Sequence, residues 1–114
     1  MTPEQLPTAL HADDLDWAPA AMEGLEEKVL WADPDTGASV TLLRWAPGTG
    51  VPQAHTHPSN QFMYCLSGSY VDTGSGIVSQ PGTFYWNPKN VLHGPTRALE
   101  ECVLLEIYDG PHYD

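Results

Sequence analysis

The sequence predicts an all-β domain. Two observations carry this expectation. No long segment repeats its apolar residues with the period of about 3.6 that marks an amphipathic helix. Short apolar and β-branched runs are instead separated by turn signals about every eight to twelve residues, the texture of a sandwich or barrel.

The elements follow in order along the chain. Residues 1–25, rich in Pro, Ala and acid, are expected to form an irregular acidic N-terminal arm with a short helical turn near 8–10. The barrel is expected over 26–114. Residues 28–32 are a short apolar run containing Trp31, closed by the turn signal Asp33-Pro-Asp-Thr-Gly37. Residues 39–46 are β-branched and apolar, a good strand, broken by Pro47-Gly-Thr-Gly50. Residues 61–66 form the next strand, ended by Ser67-Gly68. Residues 70–72 and 77–79 flank Thr73-Gly-Ser-Gly76, which reads as a hairpin. Pro81-Gly82 turns into a strand over 83–86. The last strand runs over 102–108, before Asp109-Gly-Pro111.

At 114 residues the chain has the length of one domain with a modest core. Fifteen acidic and four basic residues give a net charge of −11. That balance argues against nucleic acid, whose phosphates need Lys and Arg, and against anionic membrane surfaces. No apolar run is long enough to span a bilayer, and no charged-then-apolar leader opens the chain, so a cytoplasmic location is expected. Cys65 and Cys102 do not make a disulfide framework and read as buried thiols.

The chemistry concentrates in Gly50-Val-Pro-Gln-Ala-His55-Thr-His57-Pro-Ser-Asn-Gln61. On an extended strand, side chains two apart point to the same face. His55 and His57 therefore present two imidazoles to one side, and Gln61 follows with the same parity, as do Met63 and Cys65, for which core packing is expected. His93 lies behind a second turn, Asn87-Pro-Lys-Asn90. Three imidazoles converging from two strands make a first-row transition-metal site. Iron, zinc, copper and nickel suit such donors better than magnesium or calcium. His11 and His112 fall in irregular ends and are expected at the surface. Trp45, Phe84, Tyr85 and Trp86 are expected mostly in the core. Arg44 and Arg97 are scarce cations, each expected in a surface ion pair or, alternatively, as an anchor for a carboxylate.

These segments resemble the two motifs of the cupin superfamily. The first reads Gly, five residues, His-x-His, three or four, Glu, six, Gly. Here His55-Thr-His57, three residues, Gln61, six residues and Gly68 match it, with Gln in place of Glu; Thr49 holds the leading glycine's position, between Gly48 and Gly50. The second reads Gly, five residues, Pro-x-Gly, two, His, three, Asn. Gly82, Pro88-Lys-Asn90 and His93 match, with Asn90 for the motif glycine and Arg97 for the final Asn. Asn tolerates positive φ better than most residues, so Asn90 can serve the turn. The resemblance spans residues 38–108. It implies a double-stranded β-helix barrel, jelly-roll-like and mostly antiparallel. It also implies one divalent metal on His55, His57 and His93, with Gln61 either a fourth, weak oxygen ligand or a hydrogen-bond partner of a metal-bound water or substrate; Fe(II) is favoured and Zn, Ni, Cu or Mn possible.

The chain is most similar to small cupins such as the domain of a zinc-dependent anti-sigma factor and the dioxygenases that cleave acetylacetone or dihydroxyacetophenone. That similarity implies a mononuclear non-haem dioxygenase acting on a small enolisable ketone or diketone, with Gln61 at the open face of the metal. The alternatives are a non-redox, metal-dependent sugar-acid isomerase or lyase and a non-catalytic sensor. A small anionic or enolisable substrate is expected. A homodimer is expected too, because the run Val29-Leu30-Trp31 would be an exposed edge in a monomer.

Overall fold

The computed structural model describes residues 6–113; the first five residues of the expected arm, and Asp114, lie outside the described residues. Nine strands build two antiparallel sheets, and no α-helix occurs among the described residues. In chain order they are β1 (Ala18–Pro19), β2 (Leu25–Ala32), β3 (Ser39–Trp45), β4 (Gln61–Ser67), β5 (Tyr70–Asp72), β6 (Ile77–Ser79), β7 (Phe84–Asn87), β8 (Thr96–Ala98) and β9 (Cys102–Tyr108). The larger sheet runs β1-β2-β3-β9-β4-β7 and the smaller β6-β5-β8. The all-β expectation holds.

Alternation decides which residues meet between the sheets. Along β9, Cys102, Leu104, Glu106 and Tyr108 point inward, and Val103, Leu105 and Ile107 point outward. Thr41, Leu43 and Trp45 of β3 share the inner face, as do Gln61, Met63 and Cys65 of β4. Leu43, Trp45, Met63, Cys65, Tyr70, Ala98, Cys102 and Leu104 form the core, with Trp45 stacked on Tyr70 at 5.9 Å between ring centroids. Met63 and Cys65 therefore pack as expected, and both cysteines are free and buried.

Strand β1 lies within the arm expected to be irregular, β2 begins at Leu25, ahead of the expected run over 28–32, and four further local outcomes differ from the sequence expectation. The helical turn falls at Ala12–Asp14, where the His11 side chain accepts from the Asp13 amide, rather than near 8–10. Strand β7 begins at Phe84 because Thr83 is held in the preceding turn by its bond to the Gln80 carbonyl. Strand β8 was not legible: three residues are too few to show an alternation. Phe84 and Trp86 are 62% and 52% exposed, not core, because Tyr85 and Asn87 take the inward positions of β7. The hairpin between β5 and β6 is as expected, with Asp72 opposite Ile77.

Two turns set the loops that carry the histidines. Asn90 takes φ 63°, the only positive φ of a non-glycine among the described residues, which fits the role expected for it. At Gly50 a side chain would overlap the Thr96 carbonyl, so glycine lets the loop before His55 lie against β8.

Candidate metal centre

The two histidine segments are stitched together by backbone. His55 and His93 form an isolated antiparallel bridge, with N–H to O distances of 2.8 and 2.9 Å in the two directions. The Asn90 amide donates to the His57 carbonyl at 2.8 Å. The loops are thus fixed relative to each other before any ligand arrives. One ring nitrogen from each of His55, His57 and His93 lies within 4.8 Å of the others. The ring centroids are 4.2–4.9 Å apart.

The ring nitrogens are sorted by their hydrogen bonds. His57 Nδ1 donates to the His112 carbonyl at 3.0 Å and His55 Nδ1 to the Gln53 carbonyl at 2.9 Å. A carbonyl can only accept, so these bonds fix the Nδ1–H tautomer and free Nε2 on each ring. His57 Nε2 and both His93 nitrogens are buried without a hydrogen-bond partner. Orphaned buried imidazole nitrogens pointing at one another are costly unless they hold a cation. The donor set fits a divalent transition metal.

Electrostatics keep the triad ready for a metal. Burial pulls His57 below the ordinary histidine range, against the opposing pull of the His112 carbonyl. Burial, then the neighbouring His55 and His57, bring His93 down to about 4. Protons therefore compete poorly for the His57 and His93 nitrogens near neutrality. We expect metal affinity to fall as pH drops and to be largely lost toward pH 4, where His93 protonates. A chelator-competition titration from about pH 8 to pH 4 checks this; an affinity at pH 4 equal to that at pH 8 would contradict it.

Beside the triad lies a polar cluster that only part of the sequence reading anticipated. Gln61 faces the cavity as expected, and its amide is heavily engaged. Nε2 donates to Glu106 Oε2 and to the Tyr108 hydroxyl, both at 2.7 Å, and Oε1 accepts from Asn87 Nδ2 at 2.8 Å. One lone pair of Oε1 remains. Glu106, 7% exposed, was missed. Burial lifts its carboxyl to about 7, although Gln61 and Tyr108 hydrogen bonds oppose the rise. Its signal was present: position 106 has inward parity on β9. Burial and the adjacent carboxylate likewise raise Tyr108.

His112 is not a surface residue. The C-terminal segment folds back so that its ring stacks on Tyr108 at 4.2 Å and lies 4.7 Å from His57. Burial first, then the three triad imidazoles, lower it to about 4. His11 is exposed as expected. Arg44 forms the expected ion pair, with Glu26 at 2.8 Å, and Arg97 is exposed.

A cavity of about 400 Å³ connects these groups. Its polar lining includes the triad, Gln61, Glu27, Glu106 and Tyr108, and its apolar lining includes Leu25, Leu43, Val51 and Met63. No Lys or Arg lines it among the described residues.

Two antiparallel sheets around a three-histidine cluster define a cupin with a metal-binding site. The model of the ChrR cupin-like domain family matches residues 6–112, and the chain belongs to that family. No curated protein matches the chain. Among solved structures, a putative acetylacetone dioxygenase from Methylibium petroleiphilum PM1 superposes with a TM-score of 0.81 at 17% identity, covering 95% of this chain and 80% of that one. KdgF from Halomonas sp. gives 0.72 at 22% identity, covering 89% and 94%. The Rhodobacter sphaeroides complex of SigE with the anti-sigma ChrR gives 0.69 at 21% identity, covering 85% of this chain and 50% of that one. At these identities the likeness concerns the fold. Among the described residues, no helix is long and apolar enough to cross a membrane.

Proposed function

We propose that this chain is a mononuclear non-haem metal dioxygenase for a small enolisable ketone or β-diketone. The observation that supports this most is the set of orphaned triad nitrogens at the wall of a mostly apolar cavity. His55, His57 and His93 would hold one divalent ion, with Fe(II) favoured and Zn, Ni, Cu or Mn also suited to the donors. Such an ion supplies Lewis-acid polarisation of a substrate oxygen and, as iron, a route for electrons to oxygen.

The chain's own residues account for the substrate class. Three neutral imidazoles leave the ion its full double charge, which favours an enolate over a neutral ketone. Among the described residues Glu106 Oε1 takes no hydrogen bond, so it can accept one from an enol hydroxyl. Gln61, held by Asn87, Glu106 and Tyr108, lines the cavity and keeps one Oε1 lone pair that can serve as a weak ligand or as an orienting acceptor. The apolar wall takes the alkyl groups and excludes water. In the overall reaction a carbon–carbon bond of the β-diketone breaks. Both atoms of O₂ enter the products, a carboxylic acid and a 2-oxoaldehyde.

A sugar-acid substrate is the weaker reading, because its carboxylate meets no guanidinium or ammonium in this cavity among the described residues. A purely sensory metal site is the other. Oxygen uptake by iron-loaded protein with pentane-2,4-dione separates them. The dioxygenase reading expects one organic acid formed per O₂ consumed. Metal retained with no oxygen uptake on diketones would overturn it.

A further inference from the structure

The three triad rings are not held alike. His55 and His57 each have one ring nitrogen tied to a backbone carbonyl. Among the described residues His93 has no such tie, and both of its ring nitrogens are buried without a partner. Its aim therefore depends on how its backbone is fixed, because the backbone sets which rotamers are open to the ring. On one side that backbone bridges to His55. On the other, the Gly94 amide donates to Asp72 Oδ2 at 2.8 Å.

Asp72 closes β5 and is 4% exposed. Its carboxylate gathers donors from separate parts of the chain. Besides Gly94, the Ser75 amide donates to Oδ1 at 3.0 Å and the Tyr85 hydroxyl to Oδ2 at 3.1 Å. Burial alone would raise the carboxyl, but these bonds outweigh burial and hold it below the ordinary aspartate range. No Lys or Arg pairs with it among the described residues. Buried charges are ordinarily paired with an opposite charge or placed at a metal. The turn after Asp72 is seated on the same loop. The Thr73 amide and hydroxyl both donate to the Pro95 carbonyl, at 2.8 and 3.0 Å, and a side chain at Gly74 would overlap the Gly94 carbonyl.

We propose that Asp72 is a positioning residue of the metal centre, fixing His93 through the Gly94 amide and supplying a buried negative charge that the donors themselves lack. Three imidazoles and the amide of Gln61 bring no anion to a divalent ion. Asp72 is the ionised carboxylate beside that loop, one residue from the His93 backbone. In a poorly screened interior a carboxylate behind a ligand strengthens the hold on a cation, and partners behind the ligands set ligand orientation. Here the orienting bond runs to the backbone next to the ligand rather than to its ring. This role rests on the triad being the metal site and not on dioxygenase chemistry.

Chelator competition with Zn(II) on the full chain tests this. Asp72→Asn keeps the shape and removes the charge, and its affinity is expected to fall about ten- to a hundredfold, the usual cost of losing such a partner. Asp72→Ala, which also frees the Gly94 amide, should lose more. Asp33→Asn removes a charge and a turn acceptor outside the site and should bind as wild type does. An Asp72→Asn protein less stable to urea in chelator, yet holding Zn(II) as tightly as wild type, would make Asp72 purely structural and overturn the proposal. Hydrogen exchange of metal-free wild type keeps the question decidable if that variant does not fold. The Gly94 amide should be as protected as the His55 and His93 amides of the bridge, and free exchange there would overturn the proposal by itself. A wild-type chain that binds no Zn(II) would instead overturn the metal centre, and the role of Asp72 with it.

Discussion

Replacing His57 by alanine is expected to strip the protein of its metal. His57 is 3% exposed, its Nδ1 is tied to the His112 carbonyl, and its Nε2 is orphaned beside the two other triad rings. Structural metal sites bind with about 10–16 kcal/mol over four donors, so one imidazole carries roughly 3 kcal/mol. Its loss should weaken affinity by more than about a hundredfold. Chelator competition measures this directly. His11→Ala, at an exposed position outside the cluster, should bind as wild type does. Equal affinity of the His57→Ala protein and wild type would mean that the triad is not the site.

Glu106→Gln is expected to stabilise the metal-free protein at pH 8. The carboxyl is buried, and its folded value of about 7 lies above the ordinary 4.5. Between those values the folded state holds a proton that the unfolded state has released. The contribution of the neutral group is therefore fully present below pH 4.5 and lost as pH rises through 7. At pH 8 wild type keeps a buried carboxylate, at a cost of up to about 3 kcal/mol. Glutamine has the same shape, is neutral at every pH, and can still accept from Gln61 and Tyr108. Urea midpoints in the presence of chelator should favour the variant at pH 8 and converge near pH 4.5. Because both proteins carry the same histidines, their acid destabilisation cancels in the comparison. A variant less stable than wild type at pH 8 would show that the carboxylate is better compensated than its surroundings indicate.

What could be read from the sequence, and what could not, follows from the range of the forces involved. Strands β3, β4 and β9 were legible because alternation and turn signals are local. So were the convergence of His55, His57 and His93 and the positive φ at Asn90, which depend on motif spacing and turn chemistry. Strands β1 and β8 were not, since pairs and triplets of residues show no period. Glu106 was overlooked although its inward parity was countable, because an acid on a strand is ordinarily solvated; only the partners Gln61 and Tyr108 explain its burial. Phe84 and Trp86 were assigned to the core on hydrophobicity alone, whereas the parity of Tyr85 and Asn87 turns them outward. His112 lies far from the motifs in sequence, and only the returning C-terminal segment brings its carbonyl to His57.

The central claim is one divalent metal on three histidines. Elemental analysis of protein purified without a histidine tag, reconstituted with Fe(II) or Zn(II) and desalted, tests it most directly. The site predicts one ion per chain, falling to near none in His57→Ala. A wild-type protein that retains less than about a tenth of an ion per chain at neutral pH would contradict it, since donors this preorganised should hold their metal through desalting.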